Sequence, residues 1–301
     1  MRRALQCSRP SASLSLRSRG LKFVPPSVCT RRELGHLDLS DNHLEDLPPY
    51  LGELRELRVL DISANCFEAM PDVVFQLPKL ELLVATHNRL QWLPPAVAHL
   101  RNLSSLLLQH NRFNEPDSLP RELAQLRNLR EVYLDGNGLQ AVPEPITRLR
   151  HLRTLNLEHN LLSTLPRRVQ GLESLSQLFL HHNRFCDFPE AVTGLTNLSM
   201  LFLQHNSICS IPSAISRLTR LSKLFLGHNR LKALPSEIGC LRTLTNLSVE
   251  NNLLRDLPSE IGQLRNLSIL NVENNRLHAL PDEVFRLKHL RVVRLAGNPF
   301  C

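Results

Sequence analysis

The residues best placed to do chemistry recur at a fixed interval. His87 and His110 are 23 residues apart, and His159, His182, His205 and His228 repeat that spacing. A row of imidazoles is the raw material of a metal ladder or a pH sensor. Each of these histidines, however, stands immediately before an asparagine, and Gly136, Asn251, Asn274 and Gly297 hold the same place elsewhere. That substitution set follows a backbone need for positive φ, so the column is expected to form a turn and to bind no metal. Cys186 and Cys209 are likewise 23 apart, which puts two thiols on neighbouring layers, free to stay reduced or to join. Seven cysteines without a CxxC pair make neither a disulfide framework nor a zinc site, and reduced thiols are expected. There is no GxxxxGK[ST], GxSxG or HExxH segment, and the candidate His and Asp residues are accounted for by repeat position. The expectation is a chain without catalytic residues, metal or cofactor.

The elements that hold these side chains are repeated units. Asparagines stand at 42, 65, 88, 111, 137, 160, 183, 206, 229, 252, 275 and 298, with ten of eleven intervals equal to 23 and one equal to 26. Around them runs LxxLxLxxNxLxxLPxxIxxLxx, seen cleanly from Leu221 through Leu224, Leu226, Asn229, Leu231, Leu234, Pro235 and Ile238 to Leu241. Alternation in the LxL segment predicts a short strand with Leu224 and Leu226 inward and Phe225 outward. A buried asparagine can both donate and accept, which satisfies the backbone of the turn that follows. A proline column from Pro25 to Pro281 fixes φ beyond the turn and stops the strand. The IxxLxxL run spans about two turns, which predicts short 3-10 or helical structure on the far side. No unit can bury its leucines alone, so the array is stable only as a stack.

These motifs resemble the intracellular Ras group of leucine-rich repeats, the 23-residue class of Ras-suppressor and scribble-type scaffolds, over about residues 14–300. The resemblance implies an α/β repeat solenoid, a horseshoe with a parallel sheet on its concave face and 3-10, helical or extended segments on its convex face. It also implies a non-catalytic adaptor in intracellular signalling, with a small GTPase or a phosphatase as the class of protein partner. A substrate-recognition or structural subunit of a larger assembly, such as a ubiquitin ligase, is the alternative.

Composition agrees with thin aliphatic layers: hydrophobic residues make up 42% and aromatics 5%. The formal charge of +8 raises nucleic acid as a partner. Eight basic residues against one acid within 1–33 account for +7 of it, leaving a nearly neutral body for which no nucleic-acid partner is expected. No run of 18 apolar residues is present, so no membrane insertion is expected. Residues 1–13 read as a basic, disordered leader, 14–33 as a degenerate capping repeat with Arg19 in the asparagine place, and 34–301 as an array of twelve Asn-bearing repeats, the last incomplete. Lacking a secretory signal, the chain is expected in the cytoplasm, with a mitochondrial address in the Arg/Ser-rich leader as the alternative. The N-L-S sequons at Asn102, Asn197, Asn246 and Asn266 fall out of the repeat. The last strand is expected to have a free edge. The extra length at Arg112–Leu119 is either a binding loop or a tolerated bulge.

Outward strand positions carry no packing duty, so their residues speak to function. The middle outward column runs Asp38, Asp61, Val84, Leu107, Tyr133, Asn156, Phe179, Phe202, Phe225, Ser248, Asn271 and Arg294. It is apolar only in the middle, and Gln177, Met200, Lys223, His181 and Gln204 flank the three phenylalanines. Aromatic and methionine anchors with a polar rim have the composition of a protein-binding patch. Rings that merely cover one another on a sheet are the alternative. The partner-binding candidates are therefore Val84, Leu107, Tyr133, Phe179, Phe202, Phe225, Gln177, Met200, Lys223, His181 and Gln204, with the exposed-side arginines Arg101, Arg127, Arg148, Arg150 and Arg265 as a second surface.

Overall fold

The computed structural model describes residues 12–115 and 117–300 of the 301-residue chain. The strands among them are β1 (Ala12–Ser15), β2 (Leu34–Asp38), β3 (Val59–Asp61), β4 (Leu82–Val84), β5 (Ser105–Leu107), β6 (Glu131–Tyr133), β7 (Thr154–Asn156), β8 (Gln177–Phe179), β9 (Met200–Phe202), β10 (Lys223–Phe225), β11 (Asn246–Ser248), β12 (Ile269–Asn271) and β13 (Val292–Arg294). They lie in two compact units. One extends to Phe113 and takes up again at Asp117–Val132, and the other runs from Tyr133 onward. In the first unit β1 to β5 pair in chain order and in parallel. In the second, β7 to β13 do the same. The first strand begins at Ala12, two residues before the first apolar residue of the repeat pattern. The remainder of the basic leader lies outside the described residues.

Short strands follow from the period. Each unit has three or four residues between the leucine that enters the sheet and the turn that leaves it, and the register between neighbours advances by one repeat, as in Leu201 beside Leu224 beside Leu247. Leu224, Leu226 and Leu231 are all fully buried, while Phe225 between the first two is partly exposed. Three phenylalanines, Phe67, Phe113 and Phe185, replace the leucine two places after the asparagine and are fully buried. Burial on this scale supplies the driving force, at roughly 25 cal/mol per Å² of apolar surface.

On the far side, every described proline of the column from Pro25 to Pro281 takes φ between −57° and −76° and is followed at once by a 3-10 turn. These turns are single: in Ser236–Cys240 the Ile238 N–H reaches Pro235 O at 3.0 Å and the Leu241 N–H reaches Ile238 O at 3.1 Å. A leucine then returns the chain to the core, leaving no length for a longer helix.

The asparagine column fastens each layer to the one before it. Asn229 Nδ2 donates to Leu226 O (2.9 Å) and Gly227 O (3.3 Å) in its own turn and to Leu203 O (2.9 Å) one layer back. Its Oδ1 accepts from Ile208 N (3.0 Å), also one layer back. Asn65, Asn206, Asn252 and Asn275 repeat the four-bond pattern. The residue before each asparagine has positive φ, from 50° at Ala64 to 73° at Gly297, and all six histidines of the column fall between 51° and 55°. Arg19, in the asparagine place of the first unit, makes no such linkage with its side chain; its N–H instead donates to Asn42 Oδ1 at 3.1 Å. Val293, the core-side residue of β13, is 39% exposed, against 0% for its equivalents Leu270 and Leu247.

Asn206→Ala deletes one such clamp, leaving the Phe185 N–H without its acceptor and taking one of two donors from each of Leu180 O, Leu203 O and Gln204 O. Urea unfolding should show a loss of about 1–3 kcal/mol; a variant as stable as the parent would contradict the clamp.

Candidate functional site

The three rings of the middle column are stacked. Phe179 and Phe202 lie with centroids 4.5 Å apart and planes 8° apart, and Phe202 and Phe225 at 4.8 Å and 11°. The strand register sets the spacing, since Phe179, Phe202 and Phe225 are direct partners on β8, β9 and β10. Stacking covers the ring faces and leaves the ring edges outward, so the ridge presents C–H edges to solvent. Gln177, Met200 and Lys223 form the parallel row on the strand-entry side, all partly exposed. Buried Asn156 and Ser248 stand at the two ends, on β7 and β11. Val84 and Leu107, paired with each other on β4 and β5, belong to the other unit. Asn156 separates Tyr133 from Phe179 in the column, so the apolar run of the second unit is these three rings.

Polar members of the column serve the backbone. Asp38, Asp61, Asn156 and Asn271 each accept, through Oδ1, the N–H two residues on, at 3.0, 2.8, 2.9 and 3.1 Å. This local turn bond is a known competitor for Asp and Asn side chains. Phenylalanine cannot accept it. At Phe179, Phe202 and Phe225 the chain forgoes that bond and has the stacked rings in its place. The sequence alone gave no sign of this, because alternation shows only that the position faces out.

On the strand-exit side, His181 lies 6.3 Å from the Phe179 ring and 6.2 Å from Phe202, centroid to centroid. Its Nε2 pairs with the Glu158 carboxylate. That bond, followed by burial acting the other way, holds Glu158 below the usual carboxylate range. Burial and then the Glu158 charge push Asp135 up to about 6. Two atoms beside the rings, His181 Nδ1 and Gln204 Oε1, are shut from solvent and lack a hydrogen-bond partner. Buried polar atoms are rarely left so. Gln204 Oε1 is an acceptor, and His181 Nδ1 is a ring nitrogen that can take either role.

The histidine column is a second, separate stack. His159, His182, His205 and His228 follow one another at 4.1 Å with planes 9° to 14° apart, and His87 stacks on His110 at 4.3 Å. Asn251 continues the stack, its Nδ2 lying 3.3 Å from His228 Nε2. Among the described residues no group of three or more His, Cys, Asp or Glu is placed to hold a metal ion. Burial and then the neighbouring imidazoles push His182 down to about 4, and His87 and His205 are lowered for the same reasons. Cys186 and Cys209 are exposed free thiols on adjacent layers, joined through Cys209 N to Cys186 O at 3.2 Å. Arg101, Arg127, Arg148, Arg150 and Arg265 are all exposed, with Arg148 paired to Glu144 at 2.7 Å. No helix among the described residues is long and apolar enough to cross a membrane.

The lowered histidines fix a sign. A group whose folded pKa lies below its unfolded value of 6.5 supports the fold above that pH, and the support is lost as pH falls from 6.5 toward about 4. Asp135 works the other way, its raised value costing stability as pH rises from 3.8 through about 6. With three lowered imidazoles against one raised carboxyl, melting temperature should fall between pH 6.5 and 4.5. His182→Asn combined with His205→Asn uses the residue that Asn251 and Asn274 already place in this turn, and should flatten that fall. An unchanged slope would mean the stack does not resist protonation.

Comparisons with known proteins agree with this geometry. Leucine rich repeat models match residues 127–185, 188–231 and 242–300, and a leucine-rich repeat region model matches residues 26–142. No curated protein matches the chain. Among solved structures it is similar to a leucine-rich repeat protein of Leptospira interrogans, at 29% identity and TM-score 0.57, over 96% of this chain and 90% of that one. It is similar in fold to an internalin of Listeria monocytogenes, at 22% identity and TM-score 0.81, over 96% and 82%. It is also similar to the plant peptide hormone receptor RGFR1, solved in complex with RGF2, at 26% identity and TM-score 0.73, over 92% of this chain and 46% of that one. With repeat models covering more than half its length, strands in parallel order and an asparagine clamp in layer after layer, the chain belongs to the leucine-rich repeat family.

Proposed function

We propose that this protein is a cytoplasmic, non-catalytic adaptor of the Ras-suppressor and scribble-like kind, and that it grips a folded protein partner over Phe179, Phe202 and Phe225. Leucine-rich repeats are commonly protein-binding modules, and this supports the general class. The observation that carries the reading is the ridge: three stacked, partly exposed rings at positions where polar residues would serve the backbone.

The surroundings give the partner a chemistry. Edge-exposed rings and Met200 suit an apolar or aromatic anchor. Gln204 Oε1 suits an N–H or O–H donor placed just beyond that anchor, and His181 Nδ1 offers a second polar contact there. Lys223 on the entry side adds one positive charge at the rim. A small apolar core edged by a few directed polar groups is how interface hot spots are built. A small GTPase or a phosphatase, the class implied by the repeat type, is the partner to test first.

Affinity capture with the intact chain and with Phe202→Arg tests this. Arginine in the middle of the ridge disrupts both stacks while leaving the inward leucines alone. With melting temperatures matched, at least one specific partner should disappear from the variant's set. Identical sets would remove the ridge from consideration and turn attention to the arginines of the opposite side.

A further inference from the structure

The chain's single tryptophan is not in its core. Trp92 is 49% exposed and lies on the wall of a groove of about 850 Å³ in the first unit, on the segment between the asparagine turns and the 3-10 turns. The volume is within the range of sites that bind a ligand. Its floor is apolar, with Leu47 and Met70 only 3% and 4% exposed. The prolines Pro49, Pro71 and Pro94 line it without offering an N–H.

The repeat explains its form. Asp46, Ala69 and Trp92 occupy one place in three successive units, so along the groove a carboxylate, whose Oδ1 accepts the Leu47 N–H at 2.7 Å, and an indole stand on either side of Ala69. Two layers separate them, about 10 Å at the interstrand spacing of the sheet. A larger residue at 69 would close the space. Three further carboxylates line the same groove, Glu45, Glu68 and Asp72. The cation among its lining residues is Arg89, which is 3.9 Å from Glu68, so the lining is net negative by three charges within a chain that is +8 overall.

From this we infer that the groove is a second binding surface, distinct from the phenylalanine ridge, and that it takes an extended basic segment of a protein partner by seating one arginine side chain over Ala69. Charge complementarity selects a cation, and the indole selects its shape. A guanidinium stacks flat on Trp92 while its edge N–H groups reach the Asp46 or Glu68 carboxylate, which a lysine ammonium does less well. The apolar floor takes the methylenes of the same side chain.

Because Trp92 is the sole tryptophan, its emission reports the groove alone. Titration of the full chain at low salt with a blocked Ser-Arg-Ser-Arg-Ser peptide should quench or shift that emission saturably. The same peptide with citrulline in place of arginine keeps the shape, loses the charge and should bind at least about tenfold more weakly. Asp46→Asn with Glu68→Gln should weaken the arginine peptide by a similar factor, with an unchanged melting temperature. Phe202→Arg should bind it as the parent does, which keeps failure of the ridge separate from failure of the groove. Silent emission, equal responses to arginine and citrulline, or indifference to the two neutralised carboxylates would each overturn the assignment.

Discussion

Everything in this molecule hangs on one carboxamide per repeat. A turn leaving a three-residue strand exposes carbonyls in its own layer, and the neighbouring layer contributes another carbonyl and an N–H that no strand ladder reaches. Gly227 O also accepts the His205 N–H, but Leu226 O, Leu203 O and the Ile208 N–H, if unpaired in an apolar interior, would each cost on the order of 1–3 kcal/mol. Asparagine alone among the short side chains carries a double donor and an acceptor in the right plane. It therefore meets needs on both sides of the interlayer gap with one group. Leucine burial drives the stacking, but it has no direction, and the clamp is what holds the layers in register.

Two consequences follow. The residue before each clamp must take a left-handed backbone, which is why glycine and asparagine appear there, and why histidine does. Once six histidines occupy one strained column, the layer spacing brings neighbouring rings to 4.1–4.3 Å, and at His87, His182 and His205 burial and the adjacent imidazoles make protonation unfavourable. The same backbone need is enough to produce a column that resembles a metal ladder. The second consequence concerns freedom. With inward positions committed to leucine and the turns to asparagine and proline, the outward strand positions and the wall beneath the turns are where the sequence can vary. The phenylalanine ridge occupies the first of these and the Trp92 groove the second.

Much of the fold was legible in the sequence because its determinants are columns. The interval of 23 places Leu224, Asn229 and Pro235 without reference to coordinates, and the alternation around Phe225 fixes which way it faces. Legibility stopped where side-chain conformation begins. The periodicity aligned Phe179, Phe202 and Phe225 but could not show that Asp38, Asp61, Asn156 and Asn271 make a turn bond that phenylalanine gives up. It grouped Val84 and Leu107 with the rings, although they belong to another unit. Flanking His181 and Gln204 have the types of a polar rim, yet each holds a buried polar atom without a hydrogen-bond partner. The Trp92 groove leaves no periodic signature in the sequence beyond the small residue at Ala69.

Native-state hydrogen exchange tests the clamp most directly. The amides of Leu44, Phe67, Leu90, Phe185, Ile208, Leu231 and Leu254 each donate to an asparagine Oδ1 of the next layer. If that linkage holds the layers together, these amides exchange among the slowest in their unit and as one class, because none is released until its layer separates. Exchange of the same amides at the rate of an unstructured chain, with the strand amides still protected, would show that the sheet stands without the clamp and would contradict the account.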